Sequence, residues 1–496
     1  MSQSSLTRRF LLAGAVLAAS VLLGLVIMRT ALVGLAAGSI MRGLGANGVS
    51  FQVTQVTPWQ VAIEGVKFRI GSQPWTIHRI ELQRTHWWSL SLGTLRVEGF
   101  ETPVKVAELI PPTPPAAEVG PVPAARAGPN PQVPLDGLSI DGRLLLQVTG
   151  QPDQPLAVTF EARPQTATKW RGQARVLAPG LDVKGEIGGD FATSSVHFKL
   201  AEIRADLEAW PGLVRQLAPA GWDLAGHVEA QAEGDWFDGK LSGRGSVKLR
   251  GGKAVGTKPA LTAEGVEAGL EVTDLANLGN ASGTLQVASV RVGELDLRDV
   301  DVGFAGKSPG RIEVTRASFV ALGGKLSADP FVFQPARAEL DAVLNVDGVD
   351  VEQVLALTKD LPASATGRVS GRFPVRIAAD GFQFGTGWLG LKAGVSAEIR
   401  FKASGLLTSG LSDKSPAYGV LQQVETGLLK LKVNELRLDI HPPGAPPERS
   451  AQLHLAGEPM DPTVKAPVTL DLNVNGPLER LLNLGMDSRL SFGAKK

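Results

Sequence analysis

Residues 323–394, GGKLSADPFVFQPARAELDAVLNVDGVDVEQVLALTKDLPASATGRVSGRFPVRIAADGFQFGTGWLGLKAG, contain every kind of element found elsewhere in the chain. The ends of this stretch read as strands and its middle as one short helix. Asp350 followed by Gln353 is a capping-box arrangement, and Val351, Val354 and Leu355 fall at i, i+3, i+4 on one helical face. Lys359 suits the helix C-terminus and Pro362 stops it. From Gly367 the chain returns to period-two patterning.

A degenerate copy lies upstream. It has an acidic cap at Asp206, an apolar run through Leu213, Val214 and Leu217, an alternating strand from Ala225, an Asp238-Gly239 turn and a glycine-rich strand. A third, truncated copy at residues 475–485 places proline near a helix start and Gly485 just past its end. Copies more than a hundred residues apart describe a large module, not a short solenoid repeat.

The Gly-Gly-Lys-Leu-Ser-Ala-Asp-Pro-Phe opening at Gly323, the acidic-capped helix, Ala365-Thr-Gly-Arg-Val-Ser-Gly-Arg-Phe-Pro-Val, Leu455-Ala-Gly-Glu-Pro and Pro467-Val-Thr-Leu-Asp-Leu-Asn-Val carry a resemblance. They resemble the YdbH-type proteins of the AsmA-like group of Gram-negative envelope proteins, over about residues 320–484. That group is similar to bridge-like lipid-transfer proteins. The resemblance implies a mainly β fold, an elongated twisted antiparallel sheet curled into an apolar groove, with a few short helices and one N-terminal transmembrane helix. It implies phospholipid as cargo and the inner membrane as anchor, with the outer membrane or its proteins as further partners.

Outward from this stretch, composition narrows the function. Lys+Arg number 50 against 49 Asp+Glu, a net charge of +1. No global field recruits nucleic acid or an anionic surface. One tyrosine and a 5% aromatic share leave little stacking material for bases or sugars. Cysteine is absent, which excludes disulfides, thiolate metal sites, cysteine nucleophiles and an acylated lipoprotein N-terminus.

Residues 1–9 are polar and end in Arg8-Arg9, and residues 10–28 are apolar or small. That length is close to the ~20 residues that cross a hydrocarbon core, and the paired arginines hold the N-terminus in the cytoplasm. A cleaved signal peptide is the rival reading, with small residues at Ala36, Ala37 and Gly38 as its cutting site. The remaining boundaries are a membrane-proximal strand unit at 42–110, a proline-rich linker at 111–134 that cannot donate a regular ladder, a first groove part at 135–319 and the YdbH-like region at 320–496. In the strand unit, turn residues including Gly65 and Gly71 separate short apolar pairs. Trp87-Trp88 suits either a membrane interface or a core.

One spacing recurs, apolar-x-apolar-x-x-apolar-x-apolar. It occurs at Leu285, Val287, Val290, Val292; at Leu295, Leu297, Val300, Val302; and at Leu431, Val433, Leu436, Leu438. The extra residue sends the second half of a regular strand to the other face. Either a bulge restores the face or two residues turn the chain back. The intervening pairs lack the glycine of tight primed turns, which favours a bulge. An apolar sheet face with few covering helices must close into a sandwich or barrel, or stay open as a trough. On the trough reading, these twelve residues are the candidates for a lipid-facing floor.

Sites of chemistry are wanting. Gly385-Thr-Gly-Trp-Leu-Gly has dinucleotide-loop spacing but no helix pattern after it. Gly306-Lys-Ser lacks the earlier glycine of a phosphate loop. The six histidines are dispersed, and the Asp299 and Asp301 pair reads as a solvated face. No catalytic residue, cofactor site or metal site is assigned. A scaffold or outer-membrane assembly factor using the same sheet is the alternative function, and dicarboxylate transport ranks below it because one span supplies no polar path.

Overall fold

The computed structural model describes residues 33–474, apart from 85–90, 106–134, 357–362, 402–417, 443–450 and segments of one to four residues between elements. The proposed anchor at 10–28, the proline-rich linker at 111–134, Trp87-Trp88 and the third helix copy lie outside the described residues. Among the described residues no helix is long and apolar enough to cross a membrane. The chain divides into two compact units, Met1–Gln216 with Glu229–Gly243, and Leu217–Val228 with Arg244–Lys496.

The first unit is a ladder of long strands, β1 (Ala46–Val56), β2 (Gln60–Ile70), β3 (Gln73–Gln83), β4 (Gly93–Lys105), β5 (Leu135–Gln147), β6 (Gln154–Pro164), β7 (Lys169–Ala178), β8 (Leu181–Asp190) and β9 (Ser195–Asp206). Each pairs antiparallel with the next, except β4 and β5, which are parallel with Gly93 opposite Leu135 and Lys105 opposite Gln147. The expected antiparallel sheet is therefore a mixed one. Period-two patterning is blind to strand direction, and a parallel neighbour needs a return of about 40 Å, which residues 106–134 are long enough to make. Helix α1 (residues 33–43) precedes β1, and a Cβ added at Gly34 would touch Phe51 and Val53. A 3-10 turn, Leu207–Ala209, and α2 (Pro211–Leu217) follow β9, with the Asp206 carboxylate accepting from the Glu208 amide at 3.2 Å.

Strands β10 (Trp222–Phe237) and β11 (Lys240–Thr257) have residues in both units. The second unit continues with β12 (Ala260–Val272), β13 (Ala281–Val292), β14 (Leu295–Ser308) and β15 (Arg311–Ala321), again antiparallel neighbours. Beyond β15 the strands are broken. β16 (Gly324–Ala328) and β17 (Phe331–Phe333) lie end to end along β15, interrupted by Asp329-Pro330. β18 (Leu340–Asp350) runs into α3 (Val351–Ala356), where the Asp350 carboxylate accepts from the Glu352 amide at 2.9 Å.

The chain then forms β19 (Ala363–Thr366), β20 (Arg368–Ala378), β21 (Gly381–Phe384), β22 (Gly387–Leu391) and β23 (Ala397–Phe401). Helix α4 (Tyr418–Leu429) leads into β24 (Lys430–Ile440), β25 (Ala451–Pro459) and β26 (Val468–Val474). Neither unit's ladder closes into a barrel. Within each unit the helices sit at one edge of the ladder, α1 before β1 and α2 after β9 in the first, α3 after β18 and α4 before β24 in the second.

Candidate functional site

The recurring apolar spacing lies inside single strands, so no turn interrupts it. On β24 the register shifts between Val433 and Glu435 against β25, which makes Asn434 a bulge residue. Leu431, Val433 and Leu436 consequently pack in one apolar cluster. On β14 the register against β15 shifts between Arg298 and Asp301.

On β13 there is no shift at all. Val266, Val287 and Val300 stand opposite one another on β12, β13 and β14, and so do Ala263, Val290 and Leu297, with the count of residues unchanged between them. The three strands kink together along the row Gly265, Ala288, Asp299, where no bridge forms. Gly265 has φ +65 and Asp299 φ +51, left-handed values that reset the alternation. Burial changes phase there, keeping Leu285, Val287, Val290 and Val292 on the more buried side.

The first unit carries the same crease. Gly65, His78 and Gly99 form an unbridged row across β2, β3 and β4, with Gly65 at φ +62 and Gly99 at φ +64. Gly65 is therefore a kink inside β2 and not the turn expected of it; Gly71, at φ +59, is the turn. The spacing of the twelve candidates thus also occurs at Val61, Ile63, Val66, Phe68 on β2 and at Trp75, Ile77, Ile80, Leu82 on β3. It recurs at Phe198, Leu200, Ile203, Ala205 on β9. The spacing itself was within reach of the sequence; on β2 the assumption of a turn at Gly65 hid it. Phe68, Trp75 and Phe100 form an aromatic strip on this face, with ring centroids 6.2 and 6.3 Å apart.

The structure separates the twelve candidates into two environments. Leu285, Val290, Val292, Leu295, Leu297, Val300 and Val302 are half-buried and Val287 is buried, and all eight stand in cross-strand apolar rows that no helix among the described residues covers. Leu431 and Val433 have 0% and 2% of their surface exposed and are packed with Ala365, Ala397, Ile399 and Leu455. Leu436 and Leu438 border a neighbouring cluster built on Val346, Val369, Phe373, Val375 and Phe384. Val351 of α3 packs against both clusters, and α4 lies over β23 to β26. Among the described residues, the apolar face is uncovered across β12 to β14 and filled across β18 to β26.

The opposite face is polar and charge-paired. Arg175 donates to Asp182 at 3.0 Å, Lys184 reaches Glu202 at 2.8 Å, and Arg316 lies 2.9 Å from Asp301. The hydrogen bond from Arg175 holds the Asp182 carboxyl below its ordinary range, and that from Lys184 does the same for Glu202. Two histidines join carboxylates, His197 with Asp235 at 3.0 Å and His454 with Asp471 at 2.7 Å. Among the described residues no group of His, Asp or Glu could hold a metal ion. Gly387–Leu391, within the dinucleotide-like spacing, is strand β22, so the helix such a site requires does not begin there.

No curated protein and no solved structure matches the chain. A protein-family comparison does match: residues 125–394 fit the family described as YdbH-like, intermembrane phospholipid transport protein YdbH. The match takes in the uncovered apolar strands β12 to β14 and most of the broken strands beyond them, and covers more than half of the chain, which therefore belongs to the YdbH-like family.

Proposed function

We propose that this chain is anchored in the inner membrane by residues 10–28, extends into the periplasm and carries phospholipid toward the outer membrane along its apolar sheet face, without catalysis. The observation that carries this reading is the uncovered apolar surface of β12 to β14, backed by a charged opposite face. A soluble sheet normally buries such a face, and each methylene that an acyl chain removes from water against it is worth about 0.8 kcal/mol. Headgroups remain at the wet margin, where their charge keeps its hydration. Movement is passive, and direction comes from gradients or from partner proteins.

The filled interior of β18 to β26 favours a second role for that part alone, a structural end that binds partner proteins. The test of the main reading is transfer of labelled phospholipid between vesicles by the full chain. Val290→Asp is expected to slow transfer at least about fivefold with little loss of stability. Unchanged transfer, or a purified chain free of lipid, removes the carrier function and leaves the scaffold.

A further inference from the structure

Helix α1 is apolar on both of its sides. Gly34, Ala37, Gly38 and Met41 share the inner side, where a Cβ added at Gly34 or Gly38 would stand 3.8 or 3.9 Å from the Phe51 ring of β1. Leu35, Ala36, Ser39, Ile40 and Gly43 share the outer side and are all exposed, Leu35 and Ile40 at 65% each. The helix has one charged residue, Arg42, whose Nε donates to the Gly38 carbonyl of the same helix at 3.0 Å. A helix side facing water ordinarily carries charged or strongly polar residues. This one presents a leucine and an isoleucine with nothing larger than a serine between them.

The position of α1 in the chain says what covers that side. Residues 10–28 form an uncharged apolar run that ends shortly before the helix begins at Val33. However the intervening chain runs, it reaches at most about 18 Å. An α-helix over residues 33–43 is about 16 Å long, roughly half the thickness of a hydrocarbon core, so beside a bilayer it lies along the surface. On its inner side α1 rests on the apolar face of β1, a strand whose one ladder partner among the described residues is β2.

We propose that the outer side of α1 is a membrane-contact surface, with Leu35 and Ile40 seated in the interfacial layer of the bilayer and the helix axis along the membrane plane. The proposal rests on the anchored reading above and adds a second contact to it. That contact brings the apolar face of β1, at Phe51 and Val53, beside the surface from which a lipid would leave.

The chain has no cysteine, so one introduced cysteine takes one label. Ile40→Cys, Leu35→Cys and Gln52→Cys, the last exposed on the other face of β1, are made in the full chain and labelled with an environment-sensitive fluorophore. Each is reconstituted into vesicles of three parts phosphatidylethanolamine to one part phosphatidylglycerol. Quenching by spin-labelled lipid is expected to be at least about threefold stronger at positions 40 and 35 than at 52, and quenching by aqueous iodide correspondingly weaker. All three positions are exposed, so the variants are expected to keep the fold, and melting curves check this. Flotation of the chain with the vesicles tests the anchor separately. A floating chain with iodide-quenched labels at 40 and 35 overturns the α1 contact and keeps the anchor. Labels shielded from both quenchers mean that protein covers the helix, which also overturns it. A chain that does not float overturns both readings.

Discussion

At the scale of residues, a few left-handed backbone conformations reset which face of the strand the apolar side chains take. A Cβ at Gly265 would stand 2.8 Å from that of Ala288, in a left-handed conformation that costs an L-residue about 1–2 kcal/mol. Asp299 occupies the same conformation on β14, where a short polar side chain tolerates it better than a β-branched one. Gly265→Val and Asp299→Val are each expected to lose about 1–2 kcal/mol in urea unfolding, and Asp299→Gly to stay within about 0.5 kcal/mol. If Asp299→Val is as neutral as Asp299→Gly, the crease does not depend on that backbone. Asp329 gives a second residue-level expectation. Its carboxyl is held below the ordinary aspartate range, first by the Asn345 amide at 2.7 Å and then by Arg372. The stabilisation is therefore complete above about pH 4, the ordinary aspartate value, and fades as the pH falls through the lower folded value. Asn345→Ala should move the Asp329 titration upward in a carboxyl-resolved NMR experiment; an unmoved curve would mean that Arg372 alone sets it.

At the scale of elements, one spacing serves two purposes, and helices decide which. Leu431 on β24 is wholly buried in a cluster bordered by α3, with α4 over the surrounding strands, whereas Leu285 on β13 is half-buried in a row that no helix among the described residues covers. Leu431→Ala is expected to cost about 2–5 kcal/mol, as a cavity in a packed core does, and Leu285→Ala less than about 1.5 kcal/mol. Equal losses in chemical unfolding would mean that the β13 face is covered too. Strands β13 and β14 were legible because alternation survives on both sides of the kink, whereas β2 reads as two segments with Gly65 as a turn between them. The sequence could not show that Gly265, Ala288 and Asp299 fall in one row, since register is a relation between strands. Nor could it distinguish Leu431 from Leu285, because the helix that separates their fates begins at Tyr418 and makes its contacts through space. The acidic caps at Asp206 and Asp350 were readable, but the capping box expected of Asp350 and Gln353 does not form, because the Asp350 amide donates instead to the Leu322 carbonyl at 2.8 Å.

At the scale of the whole molecule, 50 cationic and 49 anionic side chains nearly cancel, and the cancellation is local. Arg175 stands by Asp182, Lys184 by Glu202, Lys253 by Glu264 and Arg316 by Asp301, each pair on neighbouring strands, and Lys392, just past β22, stands by Asp347 of β18. Such pairs contribute little stability at exposed positions, about 0–1 kcal/mol each. What they do is leave the polar face without a field that extends beyond a Debye length, about 10 Å at 0.1 M salt. If the chain carries lipid along its apolar face as proposed, encounter with a membrane is not steered by charge. Lipid transfer by the full chain between vesicles should therefore change less than about twofold between 50 and 500 mM salt, with zwitterionic or partly anionic acceptors alike. A basic docking patch gives a different result, because screening removes its attraction over that range and transfer to anionic acceptors falls tenfold or more. That outcome would place recognition of the acceptor in charged residues, and the apolar face would then govern only the passage between membranes.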